Sequence, residues 1–146
     1  MKPIVCGYRH AGIIVNNIDE SVRFYRDILG LEIIQEFTDD SDYINKITGI
    51  TNGVAHFVKL KMPDGTVLEL LEYPSHPTEP HSLSILNVGV CHIALQVHSV
   101  HDAYQRLIGE GVNVLSEPVL SSEGIAIVFF CLDPDGVRVE LVEMLS

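Results

Sequence analysis

Apolar positions along this chain follow two different spacings, and both halves of the chain use them in the same order. Apolar residues three or four apart predict one helix at residues 18–29 and another at 100–110. Strand-like apolar runs are predicted at residues 6–15, 31–38, 54–61, 66–73, 89–97, 112–115, 124–132 and 137–144. Residues 39–51 are predicted to form a loop with room for a short helix. Each half therefore follows the order β-α-β-β-β.

The two halves also share sequence. The ten residues that start at Pro63 (PDGTVLELLE) return at Pro134 (PDGVRVELVE), and six of the ten are identical. Asp19 and Ser99 lie at the helix starts, while Gly30 and Gly111 follow the helix ends, as capping preferences require.

We predict an α+β fold of two tandem βαβββ modules in a single domain, residues 1–146. The modules would span about 1–74 and about 88–146, joined by a proline-rich linker of about 75–87. One helix on one small sheet leaves a sheet face uncovered. The modules are therefore expected to pack as a curved mixed sheet around a central cavity.

Charge and composition narrow the function. The net charge is −11, from nine Lys and Arg against twenty Asp and Glu, which disfavours nucleic acid and anionic membranes as partners. No apolar run approaches the ~20 residues of a membrane helix, and the N-terminus turns polar too soon for a secretory signal, so a cytoplasmic location is expected. The three cysteines, Cys6, Cys91 and Cys131, fall in apolar segments and are expected to be buried, reduced thiols.

A histidine and a glutamate recur at matching places in the two halves. His10 and His92 each lie within the first predicted strand of their half, and Glu69 and Glu140 occupy the same position of the repeated decapeptide. Taken singly, each has an ordinary explanation as a core histidine or a solvated glutamate. Recurrence favours a common role, because two neutral imidazoles and two carboxylates balance the charge of a divalent cation. Nitrogen and oxygen donors without thiolate suit Zn, Ni, Co, Mn or Fe(II).

The other polar and aromatic residues carry weaker expectations. His56 could face the cavity or the opposite side. Six residues are expected to be solvated: His76, His81, His98, His101, Glu72 and Glu143. Four basic residues could contact an anionic group or be ordinary surface charges: Arg9, Arg23, Lys59 and Arg138. Four aromatic residues could line a pocket or pack in the core: Tyr43, Phe57, Phe129 and Phe130.

The sequence resembles the vicinal oxygen chelate superfamily, which includes glyoxalase I, methylmalonyl-CoA epimerase, extradiol dioxygenases, and fosfomycin-resistance and bleomycin-binding proteins. The resemblance covers nearly the whole chain. It rests on His10, His92, residues 21–31 (SVRFYRDILGL) and residues 133–136 (DPDG), which lead to Glu140. It implies a glyoxalase-like fold, one divalent metal ion held by the His and Glu quartet, and a homodimer whose modules pair within one chain or between subunits.

Within this superfamily, the residue at Glu69 separates the chemistries. Glyoxalase I-like members carry a carboxylate there, epimerases often an amide, and ring-cleaving dioxygenases would use only His10, His92 and Glu140. Ile14 replaces an arginine that bacterial glyoxalase I uses for glutathione, and the Asn-Trp expected after Glu69 is missing. Both departures argue against glutathione as the substrate.

The resemblance therefore implies a divalent-metal-dependent lyase or isomerase. It would bind a small molecule through vicinal oxygens, with Glu140, or Glu69 by symmetry, abstracting an adjacent C–H proton. Two alternatives stay open: an Fe(II)-dependent extradiol-type dioxygenase, and a non-enzymatic antibiotic-binding protein.

Overall fold

The computed structural model describes residues 1–79 and 83–146, and its internal contacts divide the chain into two compact units, residues 1–79 and 80–146. The division falls inside the predicted linker, part of which (residues 80–82) lies outside the described residues. Among the described residues, no helix is long and apolar enough to cross a membrane.

The first unit is a four-stranded mixed sheet with one long helix. Its elements are β1 (Ala11–Ile14), α1 (Ile18–Val22), which continues as a π-helix (Arg23–Ile28), β2 (Glu32–Asp39), α2 (Asp42–Thr48), β3 (Ala55–Lys61) and β4 (Val67–Glu72). The strand order is β1-β4-β3-β2, with β1 parallel to β4 and the other neighbours antiparallel.

The second unit has the same topology. Its elements are β5 (His92–Gln96), α3 (Val100–Gly109), β6 (Val119–Leu120), β7 (Ala126–Leu132) and β8 (Arg138–Met144). The strand order is β5-β8-β7-β6, and again the first strand is parallel to the last. The α+β fold of two βαβββ modules is confirmed, with α2 as the short helix that the first loop can hold.

The strand predicted at residues 112–115 is wrong in extent. The structure has only an isolated bridge between Val114 and Cys131, and the edge strand β6 begins later, at Val119. Proline explains the interruption, because Pro118 has no N–H to continue a ladder along β7. The first strand is likewise shorter than predicted, since β1 has ladder partners only along Leu68–Leu71 of β4.

Both long helices begin where the sequence predicts, and Ser99 caps the second one as expected, but the first is capped by Asn17 and not by Asp19. Asn17 accepts hydrogen bonds from the N–H groups of Asp19 and Glu20, at 3.0 and 3.2 Å, and Ser99 accepts one from Asp102 N–H at 3.1 Å. The chain leaves the helices through Gly30 and Gly111, whose φ values of 87° and 75° favour glycine.

Two glutamates expected to be solvated instead bind the helix starts. Ile18 N–H donates to Glu72 Oε2 at 2.7 Å, and Val100 N–H donates to Glu143 Oε2 at 2.8 Å. The first N–H groups of a helix have no acceptor within it. The last strand of each unit, β4 or β8, supplies an acceptor, so both carboxylates are half-buried rather than free in solvent.

In each unit, the sheet buries one face. Alternation along the strands separates this face from the one that carries Glu69 and Glu140. Buried residues in the first unit include Phe24, Tyr25, Ile28, Val58, Leu60, Leu68 and Leu70; those in the second include Val100, Leu107, Phe129, Cys131, Val139 and Leu141.

The cysteines differ in their surroundings. Cys131 on β7 is buried, whereas Cys6 and Cys91 are exposed, which corrects the expectation that all three lie in strands of the core. Both exposed thiols precede the first ladder residue of their unit. Burial, followed by the charge of Asp133, raises the pKa of the Cys131 thiol to about 12.

Candidate functional site

The first unit brings His10 and Glu69 together. Glu69 lies in the middle of β4 opposite Gly12 of β1, and His10 precedes Gly12 by two residues. Residues two apart in an extended segment face the same side, so the imidazole reaches over Gly12 to the carboxylate. His10 Nε2 lies 3.4 Å from Glu69 Oε1. Glu69 is only 8% exposed, one of few charged residues buried in the described part of the chain.

The second unit builds the same pair from equivalent positions. Glu140 of β8 lies opposite Ala94 of β5, and His92 precedes Ala94 by two residues. His92 Nε2 lies 3.0 Å from Glu140 Oε2. This pair is more accessible, with side-chain exposures of 48% for His92 and 21% for Glu140.

All four residues predicted to bind metal therefore lie in two His–Glu pairs, one in each unit. Each pair offers one imidazole nitrogen and one carboxylate oxygen, a donor set that suits a borderline or hard divalent cation. Among the described residues, no group of three or more His, Cys, Asp or Glu side chains is gathered closely enough to hold a metal ion. The structure thus gives two separate His–Glu pairs, called half-sites below, and each pair has donors of the predicted kind.

The two half-sites differ on the strand beside the glutamate. Lys59 of β3 lies opposite Glu69, and its Nζ is 3.7 Å from Glu69 Oε2. The equivalent residue opposite Glu140 is Phe130 of β7, whose ring meets the His92 ring edge-on at a centroid distance of 5.3 Å. The sequence itself contains this difference, because the residue ten positions before the glutamate is Lys59 in the first repeat and Phe130 in the second.

The other four described histidines belong to neither pair. His56 lies opposite Glu72 across β3 and β4, on the sheet face away from Glu69, and its Nε2 is 3.2 Å from Glu36 Oε1. His76 is exposed and contacts Ser75 Oγ through Nδ1 at 2.8 Å. His98 and His101 are exposed as expected, and His81 lies outside the described residues.

Aromatic residues divide between the core and the faces that carry the pairs. Phe129 is buried in the core, where Tyr104 meets it edge-on. Phe57 lies on the Glu69 face and stacks on Phe37 with centroids 4.8 Å apart. Tyr43, on α2, is exposed.

Comparison with known proteins decides the family. The model of the glyoxalase/bleomycin resistance protein/dioxygenase superfamily matches residues 7–141. The chain belongs to this superfamily. The resemblance to vicinal oxygen chelate proteins is thereby confirmed.

The chain is similar to curated lyases and epimerases over nearly its whole length. It is 29% identical to a probable lactoylglutathione lyase of Synechocystis sp., covering 94% of this chain and 95% of that protein. It is 30% identical to the mitochondrial methylmalonyl-CoA epimerase of Dictyostelium discoideum, covering 92% and 76% respectively. A crystal structure of a glyoxalase family protein from Bacillus cereus matches with a TM-score of 0.89 at 19% identity, over 99% of this chain and 98% of that one, which shows the shared fold.

Proposed function

We propose that this protein is a divalent-metal-dependent lyase or isomerase that binds a small substrate through vicinal oxygens. The similarity to curated lyases and an epimerase supports this kind of reaction. The observation that carries the proposal is the repeated His–Glu pair, at 3.4 Å in one unit and 3.0 Å in the other.

In this proposal, His10, Glu69, His92 and Glu140 together hold one ion, with neutral imidazoles and ionised carboxylates. A bound Zn, Ni, Co, Mn or Fe(II) ion would supply Lewis acidity that polarises the substrate oxygens and acidifies the adjacent C–H. The pairing within each unit supports the assignment, because an imidazole nitrogen and a carboxylate oxygen on one sheet face lie close enough together to bind the same ion.

The proton moves through a glutamate. The carboxylate of Glu140 takes the proton from the carbon next to the substrate carbonyl, and the electron pair of that C–H bond passes to the carbonyl oxygen. Return of the same proton to the other face of the same carbon gives the epimer. Its return to the neighbouring carbon gives the positional isomer, provided that a hydroxyl on the first carbon gives up its proton and the former carbonyl oxygen takes one. No oxidant or reductant is needed. The greater exposure of Glu140 supports its role, since a base must reach the substrate.

Metal analysis tests the donor set. Protein stripped with a chelator and reloaded with Co(II) is expected to bind about one ion per four-residue set. His10→Ala and His92→Ala should each weaken binding at least tenfold. His56→Ala is the matched control, because His56 also pairs with a glutamate but on the opposite sheet face. Equal binding by wild type, His10→Ala and His92→Ala would reject the metal site.

Activity tests the base. Reloaded protein would be assayed on hemithioacetal, acyl-CoA and catechol substrates. Glu140→Gln should lower turnover by about 10²–10⁴-fold, the usual contribution of a positioned base, while metal binding persists. Undiminished turnover would remove Glu140 from this role. Oxygen consumption with catechols that survives Glu69→Ala would instead identify a dioxygenase.

A further inference from the structure

The two half-sites have the same strand register, but the residue opposite the glutamate on the neighbouring antiparallel strand differs in charge between them. Lys59 and Phe130 each lie opposite the glutamate of their unit, on the neighbouring antiparallel strand. Side chains directly opposite on one sheet face are close enough to interact. One carboxylate therefore has an ammonium beside it, and the other has an uncharged ring.

The two carboxylate oxygens of Glu69 have different partners. Oε1 faces His10 Nε2 at 3.4 Å, and Oε2 faces Lys59 Nζ at 3.7 Å. The ion pair is shielded from water because both side chains are largely buried, with exposed fractions of 18% for Lys59 and 10% for Glu69. Among the described residues, Glu140 pairs with His92 and with no lysine or arginine.

We propose that Lys59 is a positioning residue that holds Glu69 as a fixed ligand through one oxygen and so leaves proton transfer to Glu140. This inference rests on the proposed function. To turn towards a substrate proton, Glu69 would have to break its ion pair with Lys59. Glu140 pairs with His92 but, among the described residues, has no lysine or arginine partner to break, because the residue opposite it is the uncharged Phe130.

The arrangement also has a consequence for metal binding alone. Lys59 competes with a cation for the charge of Glu69, so removing the ammonium should strengthen metal binding. Glu69 holds the ammonium beside the proposed ion, where its Coulomb repulsion of a dication, even when screened as in water, corresponds to a change of about tenfold in affinity. The effect should depend on Glu69 and not on Glu140.

The experiment measures Co(II) affinity by competition with a fluorescent chelator, without substrate. Lys59→Met should bind Co(II) about tenfold more tightly, whereas Lys59→Arg, which keeps the charge, should match wild type. Lys61→Met is the control, since Lys61 lies on the same strand but pairs with Glu32, at 3.6 Å. Lys59→Met should lose its effect in a Glu69→Gln background and keep it in a Glu140→Gln background.

Turnover gives the second readout. If Lys59 restrains Glu69, Lys59→Met should restore part of the activity lost in Glu140→Gln, at least tenfold above the single variant. Co(II) affinity within twofold of wild type for Lys59→Met, or equal effects in the two glutamine backgrounds, would overturn the role of Lys59. Those results leave metal binding by the quartet intact. Failure of wild type to bind Co(II) would reject the proposed function itself.

Discussion

Replacing Glu72 with glutamine tests whether the sheet holds the helix start by charge. Glu72 is the last residue of β4, and its Oε2 accepts the N–H of Ile18, the first residue of α1, at 2.7 Å. The two residues are 54 positions apart, so the bond ties the end of the sheet to the beginning of the helix. Glutamine keeps the shape and a neutral acceptor but removes the charge.

The expected cost follows from the kind of bond. A hydrogen bond to a charged group contributes about 1.5–3 kcal/mol and a neutral one about 0.5–1.5 kcal/mol, a difference of about 1 kcal/mol. Loss of a negative charge at a helix N-terminus adds about 0.3–1 kcal/mol. Glu72→Gln should therefore lower the free energy of unfolding by about 1–2 kcal/mol, and Tm by about 3–6 °C for a chain of this size.

Urea unfolding followed by circular dichroism measures this cost. Glu20→Gln is the matched control, because Glu20 lies in the first turn of the same helix and is exposed. It loses only the charge effect, so its cost should be about 0.3–1 kcal/mol, less than that of Glu72→Gln. The equivalent change Glu143→Gln should cost as much as Glu72→Gln, since Val100 N–H binds Glu143 in the same way. Equal, small costs for Glu20→Gln and Glu72→Gln would refute the reasoning.

Two further predictions concern thiols and subunit arrangement. In native protein at pH 8, Ellman's reagent should react quickly with the exposed Cys6 and Cys91 and reach Cys131 only in urea, because burial keeps its pKa at about 12; three fast thiols would contradict the burial. His10→Ala and His92→Ala chains refolded together test whether modules exchange between subunits. Co(II) binding should return at about a quarter of the sites if each site combines modules of two subunits, and at none if each site forms within one chain. Recovery by either variant refolded alone would contradict both arrangements.

Most of the fold could be predicted from hydrophobic spacing and turn residues. Both helices start at the side-chain caps, and the strands of both repeats appear in the predicted order. Edge strands were harder to predict, because residues 112–115 have the right composition but only one bridge to β7. A strand forms only where a neighbouring strand supplies hydrogen bonds, and the neighbouring strand cannot be identified from a single sequence.

The candidate site was predictable where the repeat itself carries the signal. His10 and His92, with Glu69 and Glu140, recur at fixed offsets, and the structure pairs them within their units. Residues that differ between the repeats gave no such signal, so Lys59 was indistinguishable from a surface charge. Only the register of β3 against β4 places it beside Glu69.

For the proposed proton transfer, duplication creates a difficulty that the strand beside each His–Glu pair can solve. Two copies of one half-site supply equal carboxylates, whereas proton abstraction from one carbon needs one to bind and the other to move. In the proposed site, changing either glutamate would remove a metal ligand, so divergence has to occur at a neighbour that is not a proposed ligand. The residue directly opposite on β3 or β7 is the nearest such position, and it is where the units carry a lysine and a phenylalanine.

Exchanging the two residues, by Lys59→Phe together with Phe130→Lys, tests this explanation. The exchange should transfer the sensitivity to glutamine substitution from Glu140 to Glu69. The measurement is the ratio of the turnover losses caused by the two glutamine substitutions. A ratio that stays unchanged in folded, metal-loaded protein would mean that the reacting carboxylate is chosen elsewhere in the chain.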